Sequence, residues 1–185
     1  MHSSSVAPAK AGVPLPSKRE KSGIPAFAGM TKIGLTLGLV LAVPASAQDK
    51  KPPYWASIAS GEAMMRTGPG RNYPGIWLYK RRDLPIRVVQ TYPNWRKIED
   101  PDGQQGWMLV TLLSDRRTAI VKPGEPRDIH TRPEANAPVR YRAEAGVVGR
   151  IEKCDGNWCR FEVGRRQGYI AQSELWGVNG GETLD

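Results

Sequence analysis

Cys154 and Cys159 are the only cysteines of the chain, and Asp155-Gly156-Asn157-Trp158 separates them. A pair so spaced around a turn-forming Asp-Gly can close a cross-hairpin disulfide, remain as thiols or join a metal site. Metal ligation wants a second cluster of Cys or His, and beyond residue 47 the sole histidine is His130. The disulfide is therefore the expectation, and no metal or other cofactor is expected. So short a loop constrains the unfolded chain by only roughly 2 kcal/mol on the chain-entropy model. Nucleophilic catalysis needs a base beside an activated nucleophile. His130 stands alone before Thr131-Arg132-Pro133 and reads as a surface histidine at a strand end or loop. Asp100 and Asp102 bracket Pro101 and read as turn formers rather than a general acid and base. Gly68-Pro69-Gly70 lacks the Gly-Lys-Ser/Thr ending of a phosphate loop. No catalytic residue is expected, and the chain is not expected to be an enzyme.

What remains is recognition. Stacking and apolar contact with a peptide or glycan need exposed rings beside polar groups. One half of the sequence offers Tyr73, Trp77, Tyr92, Trp95 and Trp107; the other offers Tyr141, Trp158, Tyr169 and Trp176. Half or more of these rings belong in cores or between domains, because aromatics dominate small cores. The candidate ligand-binding set is Tyr73, Trp77, Trp95, Trp107, Trp158 and Tyr169, with Arg66, Lys97 or Arg160 at its rim. Trp176 reads as a cap or an interface residue. The densest basic run, Lys80-Arg81-Arg82, reads as a solvated hairpin tip.

The elements that position these residues come twice. Thr67-Gly68-Pro69 with Tyr73-Pro74 returns 64 positions on as Thr131-Arg132-Pro133 with Ala137-Pro138. Asn94-Trp95 returns 63 on as Asn157-Trp158, and Gly106-Trp107 and Leu113 return 62 on as Gly168-Tyr169 and Leu175. The chain thus carries two copies of one small fold. Short β-branched or aromatic runs cut by turn signals make both copies all-β. Strands are expected at Ala56–Ile58, Ala63–Arg66, Gly75–Tyr79, Leu84–Thr91, Arg96–Glu99 and Gly106–Val110. Their counterparts are Ala119–Val121, Arg127–His130, Val139–Arg142, Val147–Cys154, Trp158–Val163 and Gly168–Ala171.

Strand alternation places Cys159, Phe161 and Val163 on an apolar face and Trp158 opposite them, with Arg160 and Glu162. In the first copy Ile98 faces in, so Trp95 faces out as a ligand platform or a lid on a neighbouring hairpin. Strict alternation cannot bring Cys154 opposite Cys159 while Phe161 meets Val147 and Ile151, so that hairpin holds a bulge.

The run Met64-Met65-Arg66-Thr67-Gly68-Pro69, Tyr73-Pro74, Asn94-Trp95-Arg96-Lys97-Ile98, Gly106-Trp107-Met108 and Leu113 resembles the bacterial SH3-like domain. The second copy is similar through Cys154 to Arg160, Gly168-Tyr169-Ile170 and Leu175-Trp176-Gly177-Val178, and together they cover nearly all of residues 54–178. It departs at Arg132, Ala137 and Tyr169, which replace Gly68, Tyr73 and Trp107, so its groove is less aromatic. The resemblance is to exported bacterial proteins made of a signal peptide and tandem SH3-like domains. It implies a five- to six-stranded, partly open barrel in each copy, with a single-turn helix near Thr111–Leu113 and Ser173–Leu175.

Residues 30–47 read as an export signal: Lys32 at the start, an apolar run to Val43, then Pro44 and Ala45-Ser46-Ala47. The run is shorter than the roughly 20 residues a membrane anchor needs, so no stable span is expected after cleavage, and the exported chain starts at Gln48. Residues 1–29 read as a mis-called start or a disordered leader. From Gln48 onward 22 Lys and Arg face 17 Asp and Glu, about +5 net, against +9 for the full chain. With export and interspersed charge, nucleic acid is not expected as a partner. Residues 48–53 should form a linker, 54–114 and 115–178 the two domains, and 179–185 a flexible tail. The expected function is an exported, periplasmic or secreted binding module for cell-wall peptide, peptidoglycan or an envelope protein, with residues 54–114 binding and 118–178 supporting. The alternative is an assembly protein whose two barrels pack together and hide their rings.

Overall fold

The computed structural model describes residues 50–185; the leader, the signal segment and the expected start at Gln48 lie outside them. The first copy contains β1 (Tyr54–Ile58), β2 (Ala63–Arg66), β3 (Gly75–Tyr79), β4 (Pro85–Tyr92), β5 (Trp95–Glu99), β6 (Gln105–Leu109) and β7 (Leu113–Ser114). The second contains β8 (Thr118–Val121), β9 (Arg127–His130), β10 (Val139–Ala143), β11 (Val148–Asp155), β12 (Trp158–Val163), β13 (Arg166–Ala171) and β14 (Leu175–Trp176), followed by β15 (Thr183–Leu184). Hydrogen-bonded order is β3-β2-β6-β5-β4-β1-β7 in one sheet and β10-β9-β13-β12-β11-β8-β14 in the other. Strand for strand the two orders are the same. Each path has seven strands rather than five or six, the seventh being only two residues long. Single 3-10 turns at Val110–Leu112 and Gln172–Glu174 begin one residue before the expected helices.

Alternation builds each core. Ile86 and Val88 of β4, Ile98 of β5 and Met108 of β6 are completely buried, and Met65 of β2 nearly so, in one cluster. Ile129, Cys159, Phe161 and Ile170 fill the second cluster in the corresponding strands. The repeated glycines let the sheets curl this tightly. A Cβ on Gly106 would stand 2.5 Å from Met65 Cγ and 2.9 Å from the Arg66 carbonyl oxygen. The sheet can close there only because β6 carries no side chain at that point.

The hairpin of β11 and β12 pairs Ile151 with Phe161 and Cys154 with Cys159, with a register shift between them. The two sulfurs form a disulfide, and the shift is the expected bulge. Asp155 closes the turn: its Oδ1 accepts from the Trp158 and Asn157 amides at 2.8 and 2.9 Å. Those two bonds hold its carboxyl below the usual value. Reduction of the bond should lower unfolding stability by roughly 2 kcal/mol, measured by denaturant titration with and without dithiothreitol.

Residues 179–185 are not a free tail. β15 pairs with β11 through Cys154 with Leu184 and Asp155 with Thr183. Arg117 grips Glu182 with both Nη atoms, at 2.6 and 3.2 Å, while the Asn179 amide donates to the same carboxylate at 2.8 Å. Burial alone would raise the Glu182 carboxyl, but the Arg117 hydrogen bonds, the Asn179 amide and the Arg117 charge outweigh it and hold it low. A carboxyl depressed on folding contributes stability above its unfolded value, about 4.3, and loses it as pH falls through the folded one. Acidification below about pH 4.3 should therefore release this segment, and Glu182→Gln should release it at pH 7, as amide hydrogen exchange at residues 179–184 would show.

The two barrels touch through side chains of both. Trp55 of β1 meets Trp176 of β14 edge-on, with ring centroids 4.8 Å apart. The Trp55 indole N–H donates to Asn179 Oδ1 at 3.0 Å. Ile120 and Val148 of the second barrel pack against the first core, and Arg81 Nη2 donates to the Gly146 carbonyl at 2.8 Å. Trp176 is thus the interface residue its position implies. Trp55 was missing from the candidate rings, although it lies out of phase with buried Ala56 and Ile58 and so had to face outward.

Candidate binding face

On β2, β6 and β5 three side chains stand in one row. Arg66 pairs across strands with Trp107, and Trp107 pairs with Lys97. All three alternate with buried residues, namely Met65, Met108 and Ile98, so the row occupies the outer face of the sheet. An indole thus lies between two cations. At the end of β4 the exposed Tyr92 ring meets Trp107 edge-on, centroids 6.3 Å apart. Among the described residues neither Arg66 nor Lys97 has a carboxylate partner; Arg66 Nη1 instead donates to the Tyr73 carbonyl at 2.7 Å. Such a surface can stack an apolar or sugar face on the indole and pair carboxylates at either side.

The Tyr73 ring lies over the Gly68-Pro69-Gly70 loop, and a Cβ on Gly68 would come within 2.6 Å of its Cγ. This contact accounts for a paired difference between the copies. Where Tyr73 is replaced by Ala137, the space opens and Arg132 stands in place of Gly68. The bond beneath it survives, with His130 Nδ1 against the Ala137 carbonyl at 2.8 Å. A carbonyl only accepts, so Nδ1 carries the proton.

The second barrel repeats the row as His130, Tyr169 and Arg160. Its chemistry differs. Arg160 is held by Gln167 and has Glu152 3.8 Å away, so its charge is partly answered within the fold. Arg160, Tyr169, Thr131 and Arg140 line an open depression of about 290 Å³. The counterpart of Tyr92 is Asp155, an anion already engaged in its turn.

The six candidate rings therefore separate. Tyr73 and Trp107 lie at the first barrel's row, and Tyr169 lies in the second barrel's row. Trp158 takes the outer face as alternation requires and packs edge-on against His130, centroids 5.4 Å apart. Trp95 also lies outside the core cluster, but it is only 9% exposed, which leaves its ring little surface for a ligand. Trp77 is elsewhere: it shares a side of β3 with Tyr79, centroids 6.4 Å apart, and stands at the edge of the sheet with 58% of its surface exposed.

His130 is not the surface histidine its neighbours imply, being 9% exposed between the Ala137 carbonyl and the Trp158 ring. Asp100 is a turn former and more. Its Oδ1 accepts from the Asp102 and Gln104 amides at 3.0 and 2.8 Å, and its Oδ2 accepts from the Tyr79 hydroxyl at 2.8 Å. Burial, with that hydrogen bond to Asp100, pushes the Tyr79 phenol up and keeps it protonated. Nothing along β3 alone reveals that Tyr79 is buried or which acid meets it across the barrel, since Trp77 on the same side is exposed.

The family model of the bacterial SH3 domain matches the chain twice, at residues 59–115 and 124–177. Comparison with curated proteins yields no match. Among solved structures, NlpC2 from Trichomonas vaginalis is similar at 13% identity over 69% of this chain and 49% of its own, TM-score 0.29. NlpC1 from the same organism is similar at 12% identity over 70% and 47%, TM-score 0.29. The chain spans about half the length of these two proteins.

Proposed function

The chain belongs to the bacterial SH3 domain family, and from that premise we propose that it is an exported, non-catalytic binding protein whose first barrel holds cell-wall peptide. Bacterial SH3 domains are commonly cell-wall binding modules. The observation that carries the reading is the row of Arg66, Trp107 and Lys97, an indole between two cations that have no carboxylate partner among the described residues. Cell-wall peptide offers free carboxylates and small apolar side chains on a glycan scaffold, which matches both halves of that surface. The second barrel supports: its row is partly answered by its own side chains, and Trp176 presses on the first barrel. The reading of residues 30–47 as an export signal supports periplasmic or secreted placement, as does the Cys154–Cys159 disulfide.

Co-sedimentation with purified peptidoglycan sacculi tests this. The chain should pellet with sacculi and be released by added salt, since the cations contribute. A chain that stays in the supernatant at low salt ends the wall reading. The Trp55–Trp176 contact favours a second role as a rigid two-barrel scaffold for an envelope protein, for which sacculi would be inert.

A further inference from the structure

Beyond that outer face, the first barrel presents a second surface at its open edge. β3 is the terminal strand of its sheet and pairs, among the described residues, only with β2. Its sequence is Gly75-Ile76-Trp77-Leu78-Tyr79, with Ile76 46%, Trp77 58% and Leu78 41% exposed. Edge strands offer a row of unpaired N–H and C=O groups, and proteins ordinarily blunt them with charge, proline or a covering element. β3 has none of these within its span. The second barrel does what the first does not: at the matching positions of β10 stand Arg140 and Arg142, with Arg140 Nη1 on the Gln167 carbonyl at 3.1 Å and Arg142 Nε on Asp128 at 2.8 Å. One fold thus carries one guarded edge and one bare edge.

The charges around the bare edge say what fits it. Exposed Arg71 precedes β3 and exposed Lys80, Arg81 and Arg82 follow it, with no acid from Thr67 to Arg82. Arg81 and Arg82 are held by carbonyl oxygens, of Gly146 and Ala59, at 2.8 and 2.6 Å. Lys80 meets Glu62 only at 3.8 Å, with both side chains largely in solvent. A second copy is the wrong occupant. Antiparallel self-pairing centred on Trp77 would set Lys80, Arg81 and Arg82 of each copy opposite Pro74, Tyr73 and Asn72 of the other, and Arg71 opposite an Asp83 already paired with Arg116. Parallel pairing would lay Lys80 beside Lys80. We infer that β3 accepts an extended segment of another protein as an added strand, apolar in its centre and carrying carboxylates at both ends. Main-chain hydrogen bonds would supply affinity, the exposed Ile76, Trp77 and Leu78 side chains would cover the apolar centre, and the flanking cations would fix the ends.

The test uses the full chain and a labelled synthetic peptide of sequence DEVTITVED, with KKVTITVKK as control. Anisotropy should rise with the acidic peptide and not with the basic one, hydrogen exchange should slow at β3, and affinity should fall at least about tenfold in 0.5 M salt. The double variant Ile76→Arg/Leu78→Arg gives β3 the arginines that β10 carries at solvent-facing positions. It should keep the wild-type melting temperature and its sedimentation with sacculi, while losing the peptide at least about tenfold. Equal binding of the two peptides, no binding of the acidic one, or wild-type binding by the double variant overturns the inference. So does slowed exchange at β3 that grows with protein concentration alone, which would give the edge to a second copy. Loss of sacculus binding in the wild-type chain alone would instead remove the outer-face reading and leave β3 untouched.

Discussion

Trp107→Ala should reduce affinity for peptidoglycan by roughly 30-fold, the cost of about 2 kcal/mol typical of a central aromatic anchor. The indole pairs across strands with Arg66 and Lys97 and touches the Tyr92 ring, so its removal takes the stacking surface and separates the two cations from it. Trp107 alternates with buried Met108 and belongs to neither core cluster, so the melting temperature should move little. Tyr169→Ala, at the same place in the second barrel, should change affinity by less than about threefold, because Arg160 there is already engaged by Gln167 and neighboured by Glu152. Binding isotherms on sacculi for the two variants decide which barrel reads the wall. A larger loss from Tyr169→Ala reverses the assignment.

Gly168→Ala should destabilise the second barrel strongly. A Cβ there would collide with Ile129 Cγ2 and sit 2.8 Å from the His130 carbonyl oxygen. Ile129 is completely buried and β-branched, so it has one well to occupy and no room to leave it. Overpacking of this kind costs about 1–3 kcal/mol where side chains can yield; with backbone on one side, about 3 kcal/mol is expected. For two barrels that melt as one unit that lowers the melting temperature by roughly 10 °C. Gly106→Ala meets Met65 instead, an unbranched side chain that can re-route, and should cost visibly less. Thermal melts of the two variants measure the difference directly, and equal losses would mean that the carbonyl contacts, not the side chains, set the cost.

The strands, the disulfide and the bulge at Ile151–Cys154 were legible because each rests on period-two alternation or a turn residue, which are local. Alternation also placed Trp95 and Trp158 outside their cores. It could not say whether anything covers the outer face, and Trp95 proved buried there while Trp77, on the nominal inner side, is open at the sheet's edge. Exposure depends on neighbouring strands and loops, which the pattern along one strand does not contain. His130 failed for the same reason, since the Trp158 ring that covers it lies 28 residues on. Residues 179–185, with Gly180-Gly181 among them, were expected to be a tail, yet Glu182 finds Arg117 65 residues away. The binding row was half legible: its members were named, but their alignment across three strands needed the register.

Trp55 and Asn179 hold one another across 124 residues of chain. Between them lies nearly all of both barrels, so the contact is a clasp on a loop and survives only while each barrel is intact. Opening either one forfeits the clasp, the Trp55–Trp176 contact and the packing of Ile120 and Val148 on the other core at once. The barrels should therefore melt in one cooperative transition, and a protease should find no half-open form to cut. Resistance to degradation belongs to the pair, and half of this chain is not half of this protein.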